Sequence, residues 1–131
     1  EKKLQNLIVV AHSKGGLIGK YLLAFDNRDG RLKKLIAIAT PFGGSHIVRF
    51  VPHKAAQELH PESEIIKKLQ ERKDVNHNVV SIFGIFDNHV WPESSCVLEG
   101  AKNIQVSAHG HHKILFNKEV RSIILSEVEE I

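Results

Sequence analysis

The apolar positions of this chain fall into two kinds of run. Leu7 to Val10 is a short, continuous, largely β-branched stretch bounded by a turn, the pattern of a strand buried on both faces. "LIAIAT" (Leu35–Thr40), "VVSIFGIF" (Val79–Phe86) and "NIQVSA" (Asn103–Ala108) read as three more strands. Between them the apolar residues recur at helical spacing. Leu17, Ile18, Tyr21, Leu22 and Phe25 predict a one-sided helix, which "DNRDG" (Asp26–Gly30) stops. Ile65, Ile66 and Leu69 predict a second helix with Pro61 at its first position, and the run "KKLQERK" supplies its solvated face. Val120, Ile123, Ile124 and Val128 predict the apolar face of a last helix. Residues 46–60 carry no such period and read as irregular, with a short helix near Ala55 to Leu59.

The order is therefore strand, helix, strand, irregular segment and helix, strand, loop, strand, helix. Apolar strands alternating with helices imply a parallel sheet covered on both faces, an α/β fold. In such sheets ligands bind beyond the carboxyl ends of the strands, so chemistry belongs just after each strand.

Composition narrows the class without choosing a function. The 131 residues suit one domain, and 42% hydrophobic with 25% charged residues is ordinary for a globular chain. A net charge of +3, with no more than two consecutive Lys/Arg, argues against a nucleic-acid partner. No apolar run approaches the roughly 18–20 residues of a membrane span. The single Cys96, in a loop without a motif, excludes an internal disulfide and a multi-cysteine zinc site.

The strand ends hold a consistent set of residue types. Ser13 follows the first strand, "TPFGGS" (Thr40–Ser45) the second, Asp87 the third and "HGHH" (His109–His112) the fourth. A serine hydroxyl attacks a carbonyl only when a base takes its proton. Histidine suits that task, and a carboxylate fixes its tautomer and stabilises the imidazolium. Asp74 is the rival acid, but it precedes its strand and so belongs to the wrong edge of the sheet. His109, His111 and His112 are all available as the base. Small neighbours around Ser13 fit a tight strand-to-helix turn, where the backbone N–H of Lys14 faces a developing oxyanion. The remaining histidines (His46, His53, His60, His77 and His89) show no metal-site spacing, so neither a metal nor another cofactor is expected.

Ala11-His12-Ser13-Lys14-Gly15 is an A-x-S-x-G form of the G-x-S-x-G nucleophile elbow, and serine, acid and histidine follow in the chain order of the α/β-hydrolase triad. The pentapeptide resembles the elbow of small bacterial lipases of the Bacillus type. "TPFGGS" resembles the T-P-x-G-G-S of many lipases. "AAQELHPESEIIKKL" resembles the segment after it, and "FDNHVWPESSCVLEGAKNIQVSAHGHHKILFNKEVRSII" the end of the family. The likeness implies a three-layer α/β-hydrolase fold, with Ser13 as nucleophile, Asp87 as acid and, directly after Gly110, His111 as base. It implies a carboxylic ester hydrolase acting on a lipid-like or small ester. An acyltransferase on the same triad and a non-catalytic binding module are the alternatives. The strand before Ser13 would be the fifth of the family's sheet. Residues 1–131 are therefore expected to be the C-terminal part of a single domain, lacking the upstream strands and the loop that gives the second oxyanion N–H. Trp91 and Pro92 are expected to pack the loop holding Asp87, and residues 46–60 to form a lid or an acyl-pocket wall.

Overall fold

A computed structural model describes residues 3–131. Four strands, β1 (Leu7–His12), β2 (Leu32–Ile38), β3 (Val79–Phe86) and β4 (Lys102–His109), form one sheet in chain order. All three pairings are parallel. The helices are α1 (Lys14–Phe25), α2 (Lys54–Gln57), α3 (Glu64–Glu71) and α4 (Lys118–Glu129). Short 3-10 turns at His46–Phe50, Lys73–Asn78, Glu93–Cys96 and Lys113–Phe116 fill the connections.

The strands are apolar throughout because successive side chains feed opposite layers. Leu35 and Ala37 of β2, with Val79 of β3, join Leu17 and Leu23 of α1 and Ile66 and Leu69 of α3 in one core. Ile36 and Ile38, with Val80, Ile82 and Val106, join Ile114 and Val120 in the other. The sheet thus lies between α1 and α3 on one face and α4 on the other, an α/β/α stack.

β2 runs Leu32–Ile38 rather than Leu35–Thr40, and four further details depart from the sequence reading. First, β1 is not buried on both faces. It is the outer strand of the described sheet, hydrogen-bonded only to β2, and Val10 is 48% exposed.

Second, α1 buries only the ends of its predicted apolar stripe, Leu17 fully and Phe25 in part. Ile18 is 58% exposed, and Tyr21 and Leu22 also reach the surface. The buried face is Gly16, Leu17, Gly19, Lys20, Leu23 and Ala24. Close approach decides this. A Cβ on Gly16 would lie 1.9 Å from Thr40 Oγ1, and one on Gly19 2.5 Å from Leu35 Cδ1. Only a face without those atoms lets the helix settle on β2.

Third, Pro61 is not the first residue of α3. Ser63 caps the helix, its Oγ accepting from Ile66 N. The basic side of α3 is only partly solvated, since Lys68 Nζ lies 4.6 Å and Arg72 Cζ 4.9 Å from the centre of the Phe25 ring.

Fourth, α4 turns Val128 outward, 43% exposed, and buries Glu127. Glu127 accepts from Lys34 Nζ of β2 at 2.8 Å and from Lys102 Nζ of β4, tying the helix across two strands. Burial alone would raise its pKa. The bonds from Lys102 and Lys34 outweigh that and hold it below the ordinary carboxylate value.

Candidate active site

The parallel arrangement brings all four strand ends to one edge. Ser13 joins β1 to α1 in a strained conformation, φ 54° and ψ −125°, which costs a residue with a side chain about 1–3 kcal/mol. The strain is held from both sides: Ser13 N–H donates to Ile38 O at 2.8 Å, and Thr40 Oγ1 donates to Ser13 O at 2.9 Å. The glycine this turn needs for space is Gly16, against Thr40. At Gly15 a Cβ would make only an ordinary 3.5 Å contact with the Cβ of Ala11.

Ser13 Oγ lies 2.8 Å from His111 Nε2, and His111 Nδ1 lies 2.8 Å from Asp87 Oδ2. Asp87 and His111 are only 6% and 5% exposed. Asp87 follows β3 directly. Its Oδ1 accepts the N–H of His89 at 2.7 Å and of Val90 at 2.9 Å. Burial pushes the Asp87 pKa up. The hydrogen bonds from His111, His89 and Val90 together outweigh it, so the carboxyl titrates below its ordinary value. An ionised carboxylate only accepts, so Nδ1 of His111 carries a proton and, in the neutral ring, Nε2 turns its lone pair to the serine hydroxyl. His111 itself is fixed by its backbone. Its N–H donates to Asn88 Oδ1 at 2.9 Å, and its carbonyl lies 2.7 Å from His12 Nε2.

Of the three histidines in "HGHH", His111 therefore meets both Ser13 and Asp87. His109 ends β4, and His112 is exposed beside His111. Asp74 lies in the turn before β3, paired with Arg72 at 2.8 Å. No acceptor among the described residues takes the Lys14 backbone N–H, at the start of α1. The Lys14 ammonium turns away to Glu58 at 2.5 Å and Ala55 O at 3.2 Å, tethering α2 and the residue after it to the elbow. Beside that tether Leu17, Ile18, Tyr21, Leu59 and Ile65 line an apolar groove of about 200 Å³.

Sequence reading missed two elements of the site. Ser45, fully buried, donates to His89 O at 2.8 Å and accepts Trp91 N–H at 3.0 Å, so the loop after β2 clamps the loop carrying Asp87. Its place at the end of "TPFGGS" was the available signal. The Trp91 ring is 55% exposed, against the edge of His46, and Val90 fills the core in its stead. The second element is the histidine surround. His12 and His89 come from segments 77 residues apart, which no spacing motif reveals, yet both pack against His111. Burial lowers the pKa of each, and for His89 the neighbouring His111 and His112 lower it further.

Structural comparison places this architecture among known folds. The product of the gene lin2722 of Listeria innocua superposes with a TM-score of 0.64 at 20% identity, over 98% of this chain and 59% of that one. An alpha/beta hydrolase enzyme from the metagenome of lagoon sediments at Mar Chica, Morocco, gives 0.55 at 20% identity, over 97% and 63%. An S-formylglutathione hydrolase from Agrobacterium tumefaciens gives 0.54 at 10% identity, over 97% and 50%. The fold is that of the α/β hydrolases. The chain spans between 50% and 63% of the length of these three structures. No family model matches the chain, and no curated protein matches it significantly. No helix among the described residues is long and apolar enough to cross a membrane.

Proposed function

We propose that the chain carries the nucleophile, base and acid of a serine hydrolase that cleaves carboxylic esters, lipid-like or small. The observation that carries this reading is the hydrogen-bonded line Ser13–His111–Asp87, with both links at 2.8 Å. Ser13 Oγ attacks the ester carbon while His111 Nε2 takes its proton, and Asp87 stabilises the imidazolium that forms. The tetrahedral oxyanion accepts a hydrogen bond from the Lys14 N–H at the positive end of α1. Collapse expels the alcohol, which takes the proton back from His111 and leaves Ser13 acylated. Water, deprotonated by the same nitrogen, then releases the acid. The groove beside Lys14 and Leu59 offers an apolar wall for the acyl chain.

Residues 1–131 are, in this reading, the C-terminal part of one hydrolase domain. Its remaining strands would add to the open side of β1 and bring the second oxyanion donor. One missing donor costs roughly 10²–10³ in rate. In the natural protein, a fluorophosphonate probe is expected to attach to Ser13 and to fail on Ser13→Ala. p-Nitrophenyl esters are expected to be hydrolysed by the same protein. A folded natural protein that leaves Ser13 unlabelled would overturn the reading in favour of a binding module.

A further inference from the structure

The strand ends gather four imidazoles around one point. The rings of His12, His89 and His112 lie 4.6, 4.8 and 5.1 Å from that of His111, centre to centre. Within this group, one ligating atom each of Asp87, His89 and His111 fall within 4.8 Å of one another. Two of the three are fixed by the bonds described above. The third, His89, is exposed, and among the described residues no hydrogen bond holds its ring.

Two imidazole nitrogens and one carboxylate oxygen form a donor set suited to zinc and its neighbours. Magnesium and calcium favour oxygen alone. Zinc bonds of about 2.0–2.2 Å put tetrahedral ligand atoms roughly 3.4 Å apart. Reaching that value from 4.8 Å takes a shift of up to about 1.4 Å by the exposed His89 ring, and the 2.8 Å link between Asp87 and His111 opens by about 0.6 Å as the ion replaces its proton. His112, exposed beside both other rings at 5.1 and 5.4 Å, is available for the fourth position, as is water.

We propose that Asp87, His89 and His111 form a reversible site for a zinc-class divalent ion that switches the active site off. The switch rests on the hydrolase reading above; the ion site does not. An ion on Nδ1 of His111 displaces the proton held there toward Asp87, and that proton is taken up on Nε2 through solvent. The ring then presents N–H to Ser13 and no longer accepts its proton. The nucleophile thereby loses its base, and chelation restores it.

Zinc chloride titrated by calorimetry into wild-type protein, His89→Ala and a distant control, His77→Ala, tests the site. Wild type and the control are expected to bind alike, and His89→Ala ~10-fold or more weakly. Equal zinc affinity in His89→Ala and wild type would overturn the site. The switch is read by fluorophosphonate labelling of the same samples, each variant compared with its own zinc-free rate. At a zinc concentration that half-saturates wild type, zinc is expected to slow its labelling, with EDTA restoring it, and to slow that of His89→Ala far less. Binding through His89 with an unchanged labelling rate would refute the switch. Absence of labelling even without zinc would refute the hydrolase reading and the switch together, while calorimetry still decides the ion site.

Discussion

Ser45 reaches across 44 residues of sequence to bond the carbonyl of His89 at 2.8 Å. His89 is the residue whose own N–H holds Asp87 Oδ1. The loop after β2 therefore sets where the acid sits. Ser45→Ala keeps the volume and removes a buried donor, leaving the His89 carbonyl without its partner. The expected loss of stability is about 1–3 kcal/mol, read from urea unfolding. A drop of about tenfold or more in kcat with little change in KM is expected beside it, because the acid is displaced and the substrate contacts are not.

Gly16 and Gly15 should respond differently to alanine. Gly16→Ala drives a methyl to 1.9 Å from Thr40 Oγ1, the hydroxyl that holds the Ser13 carbonyl. Overpacking there is expected to cost about 1–3 kcal/mol and to weaken fluorophosphonate labelling. Gly15→Ala meets only Ala11 at 3.5 Å and is expected to stay within about 0.5 kcal/mol of wild type. Thermal unfolding of the two variants side by side checks the difference.

Lys20 is buried at 1% exposure in α1, and it borders a cavity of about 370 Å³ whose lining includes Asn76, Ser94 and Ser95 beside Phe42, Val97 and Leu98. Burial lowers its pKa from 10.5 to about 8, and attraction to Asp74 offsets this only in part. Between those two values the unfolded chain holds a proton that the folded chain has released. Stability is therefore expected to rise as pH climbs from about 8 to about 10.5. Lys20→Met, which removes the buried charge, should be more stable than wild type at neutral pH and should lose that rise. Denaturant midpoints measured at several pH values provide the comparison.

Glu127 is the ionic counterpart on the opposite face. Glu127→Ala leaves Lys34 and Lys102 without their shared carboxylate and is expected to cost about 1–3 kcal/mol. Because the native carboxyl titrates below its ordinary value, its contribution is present above the unfolded pKa and is lost as pH falls through the folded one. The difference between Glu127→Ala and wild type should narrow in acid, as followed by circular dichroism.

The strands were legible because each is a compact apolar run closed by a turn, and from them the strand-end positions of Ser13, Asp87 and the histidine group followed. Helix faces were less legible. On α1 the apolar stripe from Ile18 to Leu22 competes with a face of glycines, and closeness to Leu35 and Thr40 wins over side-chain hydrophobicity. On α4 a glutamate is buried because two lysines from β2 and β4 meet it, a partnership made only by tertiary packing. The same holds at the site. Ser45 and His89 acquire their roles from loops that touch in space, and nothing in their local sequence states that contact.

The outer side of β1 has a consequence for handling the protein. A row of backbone groups with Leu7 and Val10 beside it is a template for another strand. If residues 1–131 are produced without the strands proposed above to cover that side, two copies can pair there, so light scattering of that fragment should rise with its concentration before any loss of helix is seen. Adding those strands to that fragment, which satisfies the same backbone groups, should remove the scattering.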